Sequence, residues 1–263
     1  MTDAAREVTR LPGTAAREVT RLPGTQARVE GRVLDVTDKD AIVALAEDLQ
    51  TCHGGVDIVL SNAVARLLPD ESQAERADEF IDVSNTATHA ILRSFAPVLR
   101  PGGRLLVVAS TLGTLGHLNP RLHHLFDGAS LDQVESAVEW WRSAVQTGTA
   151  QEAGWPVWLN VPSKVAQVAA VHAVAAERRE HDLAVGTRIA SVCPGMVDTA
   201  TSRPWFSDYS QAQSPAQAAE AVLDLVFAEP ADPALYGELV RFGKVLDWRD
   251  GTPPVEQDRI LTP

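Results

Sequence analysis

Cysteine is nearly absent. Cys52 and Cys193 are the only two in 263 residues, and they stand too far apart for a metal-ligand spacing or a secreted disulfide framework. Both are expected as reduced, half-buried thiols, and no metal ligand set is expected. No apolar run approaches the roughly 18 residues needed to span a bilayer, and the N-terminus is too charged for a signal peptide. Basic residues are short as well. The net charge of −12 argues against a nucleic-acid or anionic-membrane surface. A soluble, cytoplasmic protein is the expectation. Two motifs are also missing. No Gly-x-x-x-Gly-x-Gly loop precedes the first apolar runs, and no Tyr-x-x-x-Lys occurs, since Tyr209 is followed four on by Gln213 and Tyr236 by Val240.

What is present fits one α/β domain. Apolar content of 45% is ordinary for a globular chain, and the length allows a substantial core. Residues 4–14 and 15–25 are the same segment twice, Ala-Ala-Arg-Glu-Val-Thr-Arg-Leu-Pro-Gly-Thr. Two copies do not make a solenoid, so 1–25 reads as a duplicated arm, 26–248 as the domain, and 249–263 as a polar, proline-rich tail.

Within the domain, Gly31–Asp38 reads as a short strand running into an N-cap, with a helix over 38–52. Val56–Ala63 is an apolar run suited to a strand buried on both faces. Phe80, Val83, Ala87, Ala90, Ile91, Ser94 and Phe95 share one helical stripe in a helix over 72–99. After the turn Pro101-Gly102-Gly103, Arg104–Ser110 is the strongest strand and ends in hydroxyl residues. A helix is predicted over 130–147 and another over 162–181, followed by a strand over 186–192. Ser214-Pro215-Ala216-Gln217 is a capping box opening a helix to Phe227, and Gly237–Phe242 reads as a last strand. Strands alternating with helices specify a doubly wound, mostly parallel sheet, whose ligands sit beyond the carboxyl ends of the strands.

The segment Gly154-Trp155-Pro156-Val157-Trp158-Leu159-Asn160-Val161-Pro162-Ser163-Lys164, with Ser110, Ser61-Asn62-Ala63-Val64 and Pro194-Gly195-Met196-Val197-Asp198-Thr199, resembles the carbonyl-reductase branch of the short-chain dehydrogenase/reductases. The resemblance covers residues 26–248. It implies a Rossmann-like fold and hydride transfer between NADP and a small ketone or aldehyde. It gives Ser110 the role of hydrogen-bonding the substrate oxygen, with Thr111 as a neighbour able to substitute, and makes Asn85 the residue that kinks its helix and anchors a relay water. Lys164 would hold the cofactor ribose and tune a tyrosine at position 160. That position holds Asn160, which can hydrogen-bond but has no proton to release near neutral pH.

For the cofactor, the resemblance implies Arg17 and Arg21 at the 2′-phosphate, Asp35 and Val36 at the adenine, and Asn62 and Ala63 at the end of the next strand. Pro194, Gly195, Val197 and Thr199 would hold the nicotinamide end and diphosphate. A second reading, that Asp35 only organises its loop, stays open. The Gly-rich first strand and helix of the family are missing. The third and fourth strands could therefore pair directly, a partner could lend a strand, or the chain could be a fragment of a longer product. Val64 stands where the family has glycine, a cost if that position needs positive φ.

Trp140, Trp141 and Trp158 could line a substrate pocket, residues 200–213 would be a mobile substrate loop, and His123-His124 is expected on the surface. The expectation is a carbonyl reductase impaired or inactive in this chain, able to form a homo- or heterodimer through the helix bearing Lys164. The alternatives are a non-catalytic partner of a complete reductase, and a cofactor-independent enzyme using Ser110 and Lys164.

Overall fold

A computed structural model describes residues 31–228 and 232–249. The duplicated arm with Arg17 and Arg21, and the chain from 250 on, lie outside the described residues. Asp38 accepts from the Ala41 N–H (3.0 Å) and caps helix α1 (Lys39–His53), which ends on Gly54 in the left-handed conformation that glycine tolerates best (φ 72°). Strand β1 (Val56–Ser61) follows. Ser72 then caps α2 (Gln73–Ile81), which passes through a π-helical turn at Asp82–Thr86 into α3 (Ala87–Phe95). The single predicted helix over 72–99 is thus widened in its middle and ends in a 3-10 turn, Ala96–Val98.

Strand β2 (Leu99–Val108) begins earlier than the predicted Arg104, because its pairing with β1 shifts register between Val56 and Ile58 and absorbs the Pro101-Gly102-Gly103 turn. The rest of the order is α4 (Leu131–Gln146), α5 (Ala150–Ala153), α6 (Asn160–Ala184), β3 (Arg188–Cys193), α7 (Pro215–Phe227), β4 (Leu239–Arg241) and β5 (Lys244–Val245). The Ser214 capping box is formed as the sequence predicts, with Gln217 Oε1 accepting from the Ser214 N–H.

The sheet order is β1-β2-β3-β4-β5, parallel except for the short β4–β5 hairpin. The two-residue side-chain period sorts its faces. Leu105 and Val107 of β2 join the large cluster beneath α1, α2, α3, α4 and α6, whereas Leu106 packs with Ala190, Val192 and Val240 under Val222, Leu225 and Val226 of α7. All six residues of β3 are buried. Helix α4 lies across α6 and contributes Val134, Ala137, Val138 and Trp141 to the same core as Val165, Ala166 and Ala169. The apolar face of the Lys164 helix that meets α4 is therefore covered from within the chain.

The predicted strand at Gly31–Asp38 does not form. Residues 31–35 are irregular, Val33 is 81% exposed, and Asp35 turns back to accept from the Thr37 N–H and hydroxyl. A strand needs a neighbour for its backbone groups. Among the described residues β1 pairs only with β2, so residues 31–35 and β1 do not pair directly. Ile58 and Leu60 of β1 remain about half exposed on the α7 face of the sheet. The expected pair of half-buried thiols also divides: Cys52 is exposed and Cys193 buried.

Candidate active site

A cavity of about 700 Å³ opens beyond the carboxyl ends of β1 to β4. Ser110, Asn160 and Lys164 all line it, so the three residues that the sequence placed in one pocket converge there. Ser110 caps the 3-10 turn Thr111–Gly113, accepting from the Leu112 N–H at 3.3 Å. Its hydroxyl proton is thereby left to be offered elsewhere. Gly113 lets this turn sit hard against α6. A Cβ there would lie 2.9 Å from the Lys164 carbonyl oxygen and 2.8 Å from Val168 Cγ2, so the absence of a side chain at 113 sets the distance between the Ser110 turn and the first turn of α6.

Helix α6 begins at Asn160 itself, with Pro162 in its first turn, so Asn160 and Lys164 lie one above the other on the cavity face. Lys164 Nζ donates to Gln167 Oε1 at 2.8 Å and to the Val108 carbonyl at 3.4 Å. Burial pulls its ammonium down to about 8, weakly opposed by the Cys193 thiol. Gln167 in turn donates to the Ser84 carbonyl (2.7 Å) and to Thr88 Oγ1 (3.1 Å). The lysine is thus wired to the π-helical turn through Gln167. Asn85 lies in that turn and donates to the Ser163 carbonyl at 3.0 Å, while its own oxygen, fully buried, has no hydrogen-bond partner among the described residues. The distortion expected at Asn85 is present, and its side chain reaches the Ser163 carbonyl.

The residues assigned to a dinucleotide divide. Gly195 and Val197 line the cavity with Thr199, whereas Pro194 contributes its carbonyl to Gln213 Nε2 at 3.0 Å. Gly195 has φ 82°, a conformation that strains any residue with a side chain, and a Cβ there would lie 2.8 Å from Gln213 Nε2 and 2.9 Å from Phe242 Cζ, so both side chains would have to shift. The Thr199 hydroxyl is engaged with Ser202 Oγ (3.1 Å) and the Ser202 N–H (3.2 Å). Asn62 and Ala63 are exposed, and Val64 and Ala65 form the wall in their place. Val64 carries no positive φ, since Phe242 is the one non-glycine with that conformation among the described residues; the strain anticipated at Val64 is not incurred. Asp35 is exposed and bonded within its own loop, and Val36 is not part of the wall.

These residues fit the nicotinamide-ribose end of a dinucleotide. Its diphosphate needs a helix N-terminus or a nest of backbone N–H groups at the switch point of the sheet, and the described residues offer none beside β1.

Three further residues shape the site. His117, half-buried on the cavity wall, holds its Nδ1 2.9 Å from Thr114 Oγ1, and burial lowers its pKa. Trp205 donates its indole N–H to the Leu67 carbonyl (3.1 Å) and stacks on Trp158, with ring centres 5.4 Å apart. Together with Arg66 reaching the Ala200 carbonyl (3.2 Å), it fastens the 200–213 loop over the cavity. Of the three candidate tryptophans, Trp158 lines the cavity, Trp141 is core, and Trp140 packs edge-on against Trp155. The i+3 spacing puts Gln167 on the Lys164 face of the helix, but nothing in the sequence signals its use, and Trp205 gives no sequence signal either. His124 is exposed as expected, while His123 is partly buried with Nε2 3.0 Å from the Leu118 carbonyl. The described residues contain no group of three or more metal-binding side chains.

A family profile described as enoyl-(acyl carrier protein) reductase matches residues 7–123. The chain is 25% identical over 221 residues to an NADPH carbonyl reductase of Oryctolagus cuniculus, covering 82% of this chain and 78% of that protein. It is 27% identical over 227 residues to one of Homo sapiens, with the same coverage. Among solved structures, salutaridine reductase from Papaver somniferum superposes with a TM-score of 0.71 at 17% identity, covering 88% of this chain and 87% of that one. An NADPH-bound carbonyl reductase from chicken fatty liver gives 0.59 at 16%, covering 89% and 82%. In its parallel sheet, in the Ser110 and Lys164 walls of its cavity and in these likenesses, the chain is similar to the carbonyl reductases of the short-chain dehydrogenase/reductase family.

Proposed function

We propose that this is a cytosolic carbonyl-reductase-like protein for small carbonyl compounds whose reduction step is impaired or lost, with NADP(H) as the cofactor it descends from binding. The observation that carries the reading is Asn160 on the cavity face one turn before Lys164. Ser110 can present its hydroxyl to a carbonyl oxygen. Lys164 supplies positive charge at the floor. Asn160 can orient the oxygen by a hydrogen bond but cannot protonate it. A nicotinamide would supply the reducing equivalent; Gly195, Val197, Thr199 and Lys164 are the residues placed to meet that end of it. A positioned general acid contributes about 10²–10⁴ in rate, so Ser110 and Lys164 alone leave a slow enzyme at best.

Titrating the full chain with NADPH and following cofactor fluorescence tests the cofactor half. Weak, saturable binding is expected, and none at millimolar cofactor would overturn it. A second reading, a non-catalytic partner subunit, is favoured by one observation: the edge of β1, which has no neighbouring strand among the described residues, with half-exposed Ile58 and Leu60. It predicts co-purification with a complete reductase from the native host, and a monomer free of such a partner argues against it.

A further inference from the structure

The reductase reading uses Lys164 as a charge, yet the structure presents it as an amine. It sits at the wall of the cavity, its two hydrogen-bond acceptors, Gln167 Oε1 and the Val108 carbonyl, are both neutral, and no carboxylate forms an ion pair with it among the described residues. An ammonium held this way is stabilised mainly by dipoles, with the Cys193 thiol adding little. The space in front of it is bounded by Val64, Leu67, Phe80, Trp158, Trp205 and Phe206, a surface suited to aromatic or branched aliphatic molecules rather than sugars or anions. Ser110 and Asn160 line the same cavity, so a hydroxyl and an amide are available to an oxygen bonded beside Nζ.

We propose that Lys164 is a carbonyl-trapping amine, condensing with hydrophobic aldehydes and ketones in this cavity to give an imine. The Nζ lone pair adds to the carbonyl carbon, the C–N bond forms, and the C=O π pair moves to oxygen. A proton passes from nitrogen to that oxygen, giving a carbinolamine whose hydroxyl Ser110 and Asn160 are placed to hydrogen-bond. The C–O bond then breaks as the nitrogen lone pair forms C=N, and oxygen leaves as water with a second proton. Amine plus carbonyl gives imine plus water, with no oxidant or reductant.

The amine is available at neutral pH. With its pKa pulled to about 8 by burial, about one chain in ten carries Lys164 uncharged at pH 7, against fewer than about one in a thousand for an ordinary lysine. A phenol at position 160 would give that lysine a partner to tune; Asn160 does not. The inference needs no dinucleotide, so it stands or falls separately from the reductase reading.

The chain has three lysines, and Lys39 and Lys244 are exposed, which makes the test clean. The full chain is incubated at pH 7 with benzaldehyde and no nucleotide, reduced with sodium cyanoborohydride, digested, and mapped by mass spectrometry. The expected result is a benzylamine adduct at Lys164 at least ten-fold above Lys39 and Lys244, lost in Lys164→Arg. Equal labelling of the three lysines, labelling confined to Lys39, Lys244 or the N-terminus, or addition at Cys193 instead would overturn the proposal. The adduct map of the unaltered protein decides the matter even if the arginine variant does not fold.

Discussion

Replacing Gly113 with alanine probes the contact that spaces the Ser110 turn from the Lys164 helix. The new Cβ would meet Val168 Cγ2 at 2.8 Å and the Lys164 carbonyl oxygen at 2.9 Å, both too close for a Cβ to accept. The carbonyl belongs to a 25-residue helix held by the core and cannot rotate away, so the turn carrying Ser110 must move. Overpacking of this kind costs about 1–3 kcal/mol. Gly113 has no positive φ, so alanine also gains about 0.4–1 kcal/mol by restricting the unfolded chain. The net loss should be about 1–2 kcal/mol, a fall in Tm of roughly 2–8 °C for a domain of this size. Thermal unfolding of Gly113→Ala, Val168→Ala and the double variant gives the assay. Removing Val168 Cγ2 relieves only one of the two contacts, so the double mutant should show favourable coupling that is still incomplete. A rise in Tm for Gly113→Ala, or complete rescue by Val168→Ala, would refute the claim that the helix backbone sets this spacing.

Other consequences are equally direct. Tyr236 donates its hydroxyl to Asp182 Oδ2 at 2.8 Å, and Arg178 pairs with the same fully buried carboxylate. Tyr236→Phe should cost about 1.5–3 kcal/mol, read as a lower urea midpoint at unchanged slope; an unchanged midpoint would show that Arg178 alone satisfies Asp182. His89 and His172 are both held down to about 4 by burial. The unfolded chain protonates them near pH 6.5 while the native one does not. Their contribution to stability is therefore complete above that pH and is lost as pH falls toward 4, by about 1.4 kcal/mol per pH unit for each histidine. Denaturant midpoints between pH 7 and 4.5 should fall accordingly, and a double replacement by glutamine should flatten the slope even if it lowers the plateau.

Much of the site was readable because it depends on short-range chemistry. Pro162 in a first helical turn, the four-residue step from Asn160 to Lys164 and the Ser214 capping box are local patterns, and each formed where its residues specify. The strand at Gly31–Asp38 failed for the opposite reason: a strand is made by its neighbours, and residues 31–35 have none among the described residues. The π-helical turn at Asn85 was signalled by one asparagine, whereas the partner that asparagine chooses, the Ser163 carbonyl, depends on how α6 packs. Gln167 was hidden because glutamine inside a buried Ala/Val helix carries no mark of its use; its joining of Lys164 to the Ser84 carbonyl depends on how α6 packs against the π-helical turn. Trp205 was hidden in the same way, since its role rests on a carbonyl far away in the sequence.

The residue at position 160 decides whether this cavity can complete a carbonyl reduction. Carbonyl reduction measured at saturating NADPH for the unaltered chain and for Asn160→Tyr tests it most directly. A gain of about 10²-fold or more in the tyrosine variant is the predicted outcome. An unaltered chain that already reduces carbonyls as fast as the variant, or a variant that binds NADPH and gains nothing, would contradict it.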